Sequence, residues 1–290
     1  MTEGFLVVDK PGGMTSHDVV AAVRRATGIR KVGHAGTLDP MATGVVVVAI
    51  GRVTRLIRYL QDLAKEYLAT GMFGVATDSL DADGAVLARE PMEIDQADVE
   101  AVLPRFRGTI RQVPPMVSAL KVGGERLYEI ARRGETVERE ARTVDIYELD
   151  LTDLVPGPYP EASFRVVCGK GTYIRSLVDD IAGSLGGRAH LTDLRRTRTG
   201  TLGLDRAVRV DDLEDFADHL LDPAEALADL DAITVDEATA DAIAHGVRFA
   251  VGPMAAIAPD RATAVLGPDG RLLAVYRREG AASRPEVVLT

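Results

Sequence analysis

The sequence predicts a mixed α/β chain closed by a small β-rich module, and three observations point there. Apolar strand-like runs such as Val45 to Ile50 alternate with stretches of helical periodicity such as Val19, Val20 and Val23. The 290 residues suffice for one large core and a second, smaller one. Toward the C-terminus, short strand-like pieces flank the turn Pro268-Asp269-Gly270.

In chain order, Phe5 to Asp9 reads as a strand, and the loop Lys10-Pro11-Gly12-Gly13-Met14-Thr15 leads to a helix with Ser16 as its expected N-cap and Gly28 as its end. A strand over Val45 to Ile50, a helix over Arg52 to Leu60 and a strand over Lys65 to Phe73 follow. Thr77 to Gly84 is a carboxylate-rich loop that lacks the later bidentate Glu of a calcium loop. Asp95 to Leu103 fits a short helix, Pro114 to Lys121 an extended segment, and Val122 to Arg142, rich in both charges, an exposed arm. Ala162 to Cys168 is strand-like, and Val155 to Pro160 before it reads as a loop within one sheet. Gly169 to Ser176 closes that strand and opens a helix to about Leu185. A boundary is expected near Asp222 to Ile233, then a helix over Asp236 to His245 and strands at Ala262 to Leu266, Leu272 to Tyr276 and Val287 to Leu289.

Composition narrows the class. One cysteine, Cys168, excludes an internal disulfide framework and a cysteine-based zinc site, and its strand setting reads as a small buried hydrophobe. No apolar stretch reaches membrane-spanning length, and Met1 to Lys10 shows no cleavable signal pattern, so the expectation is a soluble, cytoplasmic protein. The net charge of −10 argues against a polyanion partner on the whole-chain count. Twelve of the acidic residues, however, fall between Asp211 and Asp241, where no Lys or Arg occurs, and the remainder carries +2. Within that remainder, Arg165 to Arg209 holds nine basic residues against four acidic ones, which reads either as a binding surface or as a solvated charged face.

The most informative run is Gly33-His34-Ala35-Gly36-Thr37-Leu38-Asp39-Pro40-Met41-Ala42-Thr43-Gly44. It sets one carboxylate in a glycine-flanked turn just ahead of an apolar strand, with Pro40 fixing the chain direction after it. Taken as a dipeptide, Asp39-Pro40 is ordinary turn punctuation; taken as a whole, the run presents a reactive group. Gly169-Lys170-Gly171-Thr172 is no phosphate loop, because the first glycine of such a loop would fall at Phe164. With no Trp, six Phe and seven Tyr, aromatic side chains are scarce, which singles out Tyr67 and Tyr173 either as core tyrosines or as base-contacting rings.

The run around Asp39 resembles the catalytic signature of the TruB-type tRNA pseudouridine-55 synthase family. Lys10-Pro11, Pro114 to Lys121, Gly169 to Ser176 and Leu191 to Arg196 resemble further motifs of that family, in its order, across about Phe5 to Gly203. The resemblance implies a pseudouridine-synthase α/β fold with a large mixed, mainly antiparallel sheet, in a catalytic domain over 1–228 with a tRNA-contacting insertion near 122–142. It implies a small PUA-like RNA-binding domain over 229–290. It implies isomerisation of uridine 55 in the tRNA T arm to pseudouridine, without cofactor, metal or protein partner and with a monomer sufficient. By the same resemblance Asp39 is the nucleophile, His34 stands beside the flipped uridine, Tyr67 contacts the base with a possible proton-transfer role at the ribose, and Tyr173 forms the pocket wall. Arg175 is expected beside the Asp39 carboxylate, Leu194 against the uracil, Asp81 as a supporting carboxylate, and Lys10 with Pro11 as structural support. Lys121, Arg126, Arg132 and Arg133 are candidate phosphate contacts. Two other classes stay open: a tRNA-binding chaperone, and a glycoside hydrolase pairing Asp39 with Asp78, Asp81 or Asp83 as the acid.

Overall fold

The computed structural model describes residues 3–118, 120–250, 252 and 254–289, and the side chains of Lys121, Arg126 and Arg132 lie outside the described ones. The chain opens with β1 (Gly4–Lys10), in which every residue but Asp9 is buried, the pattern of a strand covered on both faces. Helix α1 (Ser16–Thr27) follows, burying Val19, Val20 and Val23 as its periodicity predicts and ending at Gly28. Its N-cap is Thr15 rather than Ser16. The Thr15 side chain accepts from the Asp18 N–H while the Asp18 carboxylate accepts from the Thr15 N–H, a reciprocal box that Ser16 has no acid three residues on to complete.

Strands β2 (Val32–His34) and β3 (Thr43–Ile50) flank the glycine-rich turn. A tight 3₁₀ segment over Gly51–Leu56 and the short α2 (Ile57–Asp62) stand where one helix was expected. The Thr54 hydroxyl bonds back to the Gly51 carbonyl at 3.0 Å, three residues earlier, which suits the tighter winding.

Then come β4 (Lys65–Phe73), β5 (Val75–Thr77), β6 (Val86–Arg89), α3 (Gln96–Val102) and β7 (Gly108–Gln112). The charged arm contains the small hairpin β8 (Lys121–Val122) and β9 (Glu125–Arg126) and helix α4 (Leu127–Arg132), anchored by buried Leu127 and Ile130. The sheet continues through β10 (Arg142–Val155) and β11 (Glu161–Cys168), joined by the loop the sequence predicts, then α5 (Ile174–Ser184) and β12 (Ala189–Thr199). The C-terminal part holds β13 (Leu202–Gly203), β14 (Ala207–Arg209), α6 (Pro223–Ala226), β15 (Asp231–Thr234), α7 (Glu237–Ala244), β16 (Phe249–Ala250), β17 (Ala262–Leu266), β18 (Leu272–Glu279) and β19 (Ala282–Val288).

The contacts divide the chain into two units. The first comprises Met1–Asp39, Gly44–Leu63 and Thr199–Thr290. In it β1 pairs antiparallel with β3 from Gly4↔Ile50 to Lys10↔Gly44 and parallel with β14, while β2 pairs antiparallel with β3. A separate five-stranded sheet, β15-β17-β18-β19-β16, completes this unit. Its Ala264, Leu272, Val275 and Val287 share one buried core with Phe5, Val47, Leu56 and Leu60, so the C-terminal sheet is packed into the first unit.

The second unit comprises Pro40–Thr43 and Ala64–Arg198. Its strands run in the order β12-β4-β11-β10-β7, with the β4/β11, β11/β10 and β10/β7 pairs antiparallel. Helix α5 buries Ile174, Leu177, Val178 and Ile181; truncating Leu177, 1% exposed, to alanine would cost about 2–5 kcal/mol.

Candidate active site

In the first unit the turn 33–44 owes its path to its glycines. Gly36 and Gly44 take φ of 125° and 99°, which side chains disfavour, and a Cβ on Gly33 would sit 2.8 Å from Ile57 Cδ1. The Ala35 N–H donates to the Val47 carbonyl at 2.8 Å, pinning the entry to the turn on β3. Ser16, freed from capping, is buried: its Oγ accepts from the Leu38 N–H at 2.8 Å and donates to the Leu38 carbonyl at 3.3 Å. Asp39 follows directly and is half-buried. The units change at this point, since Pro40–Thr43 belong to the second.

His34 lies on β2 opposite Val48, and its ring meets that of His17 edge-on with centroids 5.3 Å apart. Lys10 is fully buried and donates from Nζ to the carbonyls of Pro11 at 2.9 Å and Met14 at 2.7 Å, so it ties down the loop that leads into α1.

In the second unit Arg175 and Asp81 come together. Arg175 Nη1 stands 3.0 Å from Asp81 Oδ2 and donates to the Ser79 carbonyl at 2.8 Å, while Nη2 donates to the Val117 carbonyl at 2.8 Å. The guanidinium is thus built into the interior, unlike an arginine placed on a helix start for solvent. Asp81 also accepts from Ser79 Oγ at 2.5 Å and from the Asp83 N–H at 3.2 Å. The Asp81 loop is held in turn by Leu191, whose N–H donates to the Leu80 carbonyl at 3.0 Å.

Tyr173 precedes α5 and is clamped through its backbone by Gln112. The Gln112 Oε1 accepts from the Tyr173 N–H at 2.8 Å, and Nε2 donates to the Tyr173 carbonyl at 3.0 Å. Tyr67 is half-buried on β4 opposite Val166, and Leu194 is buried on β12. Arg195, the next residue, donates to Thr43 Oγ1 at 3.3 Å and fixes the segment after Asp39. Ser79 and Gln112 escaped the sequence reading, and Ser16 was read as the cap, although Thr15-x-x-Asp18 marks Thr15 for that role and leaves Ser16 for another.

Several of the basic residues over Arg165 to Arg209 are paired with acids or buried. Arg165 binds Glu66 and Glu148, Arg188 binds Asp179, Arg198 binds Glu66, Arg206 binds Glu225, and Arg196 is buried. Arg133, one of the expected phosphate contacts, pairs with Glu125 and Glu135. Three carboxylates of the acidic segment do structural work. Asp222 and Asp236 cap α6 and α7, and Asp229 accepts from the Thr201 N–H and hydroxyl, both at 2.9 Å. Cys168 is buried, and that burial pushes its thiol up to about 11. Among the described residues no cluster of three or more His, Cys, Asp or Glu is arranged to hold a metal ion. No helix among them is long and apolar enough to cross a membrane.

Solved structures share this fold. The chain superposes on one in the Cbf5-Nop10-Gar1 complex with a TM-score of 0.79 at 27% identity, covering 98% of this chain and 84% of that one. A chain of an H/ACA RNP bound to a substrate RNA containing 2′-deoxyuridine gives 0.77 at 25% identity, covering 99% and 85%. Residues 24–174 match the N-terminal domain of the TruB family pseudouridylate synthases, and residues 175–233 match the tRNA pseudouridylate synthase B C-terminal domain. The class is therefore that of the pseudouridine synthases, which are isomerases. Curated relatives agree: the tRNA pseudouridine synthase B of Symbiobacterium thermophilum is 50% identical over 86% of this chain and 84% of its own length. That of Thermobifida fusca is 45% identical over 99% of both chains, and that of Burkholderia pseudomallei 43% identical over 98% of this chain and 96% of its own. The chain belongs to the TruB family.

Proposed function

We propose that this protein converts uridine 55 in the T arm of tRNA to pseudouridine, with Asp39 as nucleophile. The observation that supports this best is the turn 33–44, in which two glycines of positive φ and the Ser16 clamp on Leu38 hold one half-buried carboxylate, in a chain half identical to a tRNA pseudouridine synthase.

The reaction breaks the bond from ribose to N1 of uracil, turns the base, and joins the ribose to C5; N1 gains a proton and C5 loses one. No redox change occurs, so the chemistry calls for no electron carrier. A carboxylate, ionised at neutral pH with an ordinary value of about 3.9, attacks the sugar carbon or the ring, or stabilises a charged sugar. Asp39 serves here, and Arg175, held rigid by Asp81, serves the site as its fixed positive charge. Tyr67 contacts the base and transfers a proton at the ribose, Tyr173 walls the pocket, and Leu194 packs on the uracil. His34 stands beside the extruded nucleotide, and Lys10 supports the turn. Extruding the uridine costs a few kcal/mol, and stacking on an aromatic ring returns about 1–3 kcal/mol.

The tRNA T-arm stem-loop is the partner of this reading, bound by a monomer with no protein cofactor. Residues 1–228 act as the catalytic domain, with 122–142 reaching the tRNA, and 229–290 act as a PUA-like RNA-binding domain.

The test is pseudouridine formation in an unmodified tRNA transcript, compared with Asp39→Asn and with a transcript carrying cytidine at position 55. Product at that one site, lost in both controls, is expected. Product from Asp39→Asn overturns the nucleophile assignment, and tight binding without product moves the protein to the tRNA-chaperone class.

A further inference from the structure

We infer that Ser16 is a positioning residue for Asp39, acting through the backbone of Leu38; the inference rests on the nucleophile reading above. One hydroxyl binds both polar groups of the residue that precedes the carboxylate, Oγ to the Leu38 N–H at 2.8 Å and to the Leu38 carbonyl at 3.3 Å. The carbonyl it holds belongs to the peptide plane joining Leu38 to Asp39, so rotation of that plane, which would swing the Asp39 side chain, is opposed directly. Ser16 is 1% exposed and Leu38 4%, so removing the hydroxyl takes from the Leu38 backbone a bond made away from bulk solvent.

Ser16 can do this because it is itself fixed. It is the first residue of α1, directly after the Thr15 and Asp18 cap. The loop before the cap is tied by the buried Lys10 ammonium to the Pro11 and Met14 carbonyls. A continuous line of bonds therefore runs from Lys10 through the cap and Ser16 to the residue beside Asp39. His17, next along, sets its ring against His34, so the start of α1 touches the turn at two points ahead of Asp39.

The experiment measures single-turnover pseudouridine formation, tRNA affinity and melting temperature for Ser16→Ala, Ser16→Cys and Ser16→Thr. Asp39→Asn serves as the reference for the nucleophile, and Asp222→Ala as a cap deletion remote in sequence. Misplacing a reacting group by about 1 Å can cost about 100-fold. The expected result is a fall of about 10- to 100-fold in rate for Ser16→Ala, with tRNA affinity within about twofold and most of the rate kept by Ser16→Thr. Ser16→Cys keeps the size but hydrogen-bonds weakly and should lose at least about tenfold; it carries the same reading if Ser16→Ala does not fold. A rate within twofold of the unaltered protein, beside an inactive Asp39→Asn, overturns the inference and leaves the nucleophile standing. So does an equal loss in Asp222→Ala at matched stability, or a rate loss that merely follows tRNA affinity. An active Asp39→Asn overturns the nucleophile reading instead.

Discussion

Arg175 Nη1 and Asp81 Oδ2 stand 3.0 Å apart, with 3% and 7% of their side chains exposed. Two charges are seldom buried unless each is held, and here the guanidinium also meets two carbonyls while the carboxylate also meets Ser79. Removing one partner strands the other. Asp81→Ala is expected to lower stability by about 3–5 kcal/mol in urea denaturation, and Arg175→Ala to do the same while also impairing turnover strongly. The double substitution should cost less than the sum, because no unpaired charge remains. Strict additivity would show that the pair is not coupled, and an unchanged rate for Arg175→Ala would remove it from the proposed site.

That pair also shows where sequence reading stops. The strands Lys65–Phe73 and Ala262–Leu266 and the helix end at Gly28 were legible to the residue, because apolar runs bounded by turn residues carry their own limits. Strand β7 escaped because it is short, largely exposed and lacks the alternation that marks a half-buried strand, whereas the start of β10 was overlooked although its buried Val144 and Ile146 do alternate with Asp145 and Tyr147. The Asp39 turn was legible from its glycines and proline. The Arg175 partner was not, since Asp81 is distant in sequence and only the fold joins them, and nothing local marks Gln112 as the clamp on Tyr173. The ion pairs of the basic residues were hidden for a related reason, because Glu66, Glu148 and Asp179, which pair with Arg165 and Arg188, come from other strands and from α5.

Binding of tRNA should fall steeply with salt. Each phosphate contact made by Lys or Arg releases condensed counterions, about 0.7–0.9 in log–log slope per contact. Arg165, already bound to Glu66 and Glu148, should change that slope little when replaced by glutamine, since its charge is already engaged by two carboxylates. Titrations at several salt concentrations measure both. A flat response would contradict a phosphate-binding surface, and a drop of a full unit for Arg165→Gln would make it a phosphate contact.

The C-terminal sheet is tied to α2 by Glu286. Its carboxylate accepts from the Tyr59 hydroxyl and from Arg277 Nε, each at 2.9 Å, with Arg55 bonding the Val288 carbonyl at 2.9 Å nearby. Burial alone would raise the Glu286 carboxyl, but the bonds from Arg277 and Tyr59 prevail and hold it below its ordinary 4.5. Because the folded value is lowered, this contribution is complete above pH 4.5 and is lost as pH falls through the folded value. Glu286→Gln should therefore melt earlier than the unaltered protein at pH 7, with the gap closing in acid where both side chains are neutral. A gap constant with pH would mean that the charge contributes nothing.

Cys168 supplies a measure of how firmly the second unit holds together. The thiol is 1% exposed at the end of β11, and burial pushes it up to about 11 against a hydrogen bond with Thr172 that lowers it. At pH 8 about one thiol in a thousand is then ionised, and the thiolate is the reactive form. Labelling by an aromatic disulfide should accordingly be more than about 100-fold slower in native buffer than in strong urea, where the ordinary value near 8.5 returns. Between those limits its rate should follow the denaturation curve, because access requires opening of β11. Fast labelling in native buffer would mean that β11 opens at its end without global unfolding, and Leu177→Ala, which loosens the helix packed in the same unit, should then leave the labelling rate unchanged where global opening would raise it.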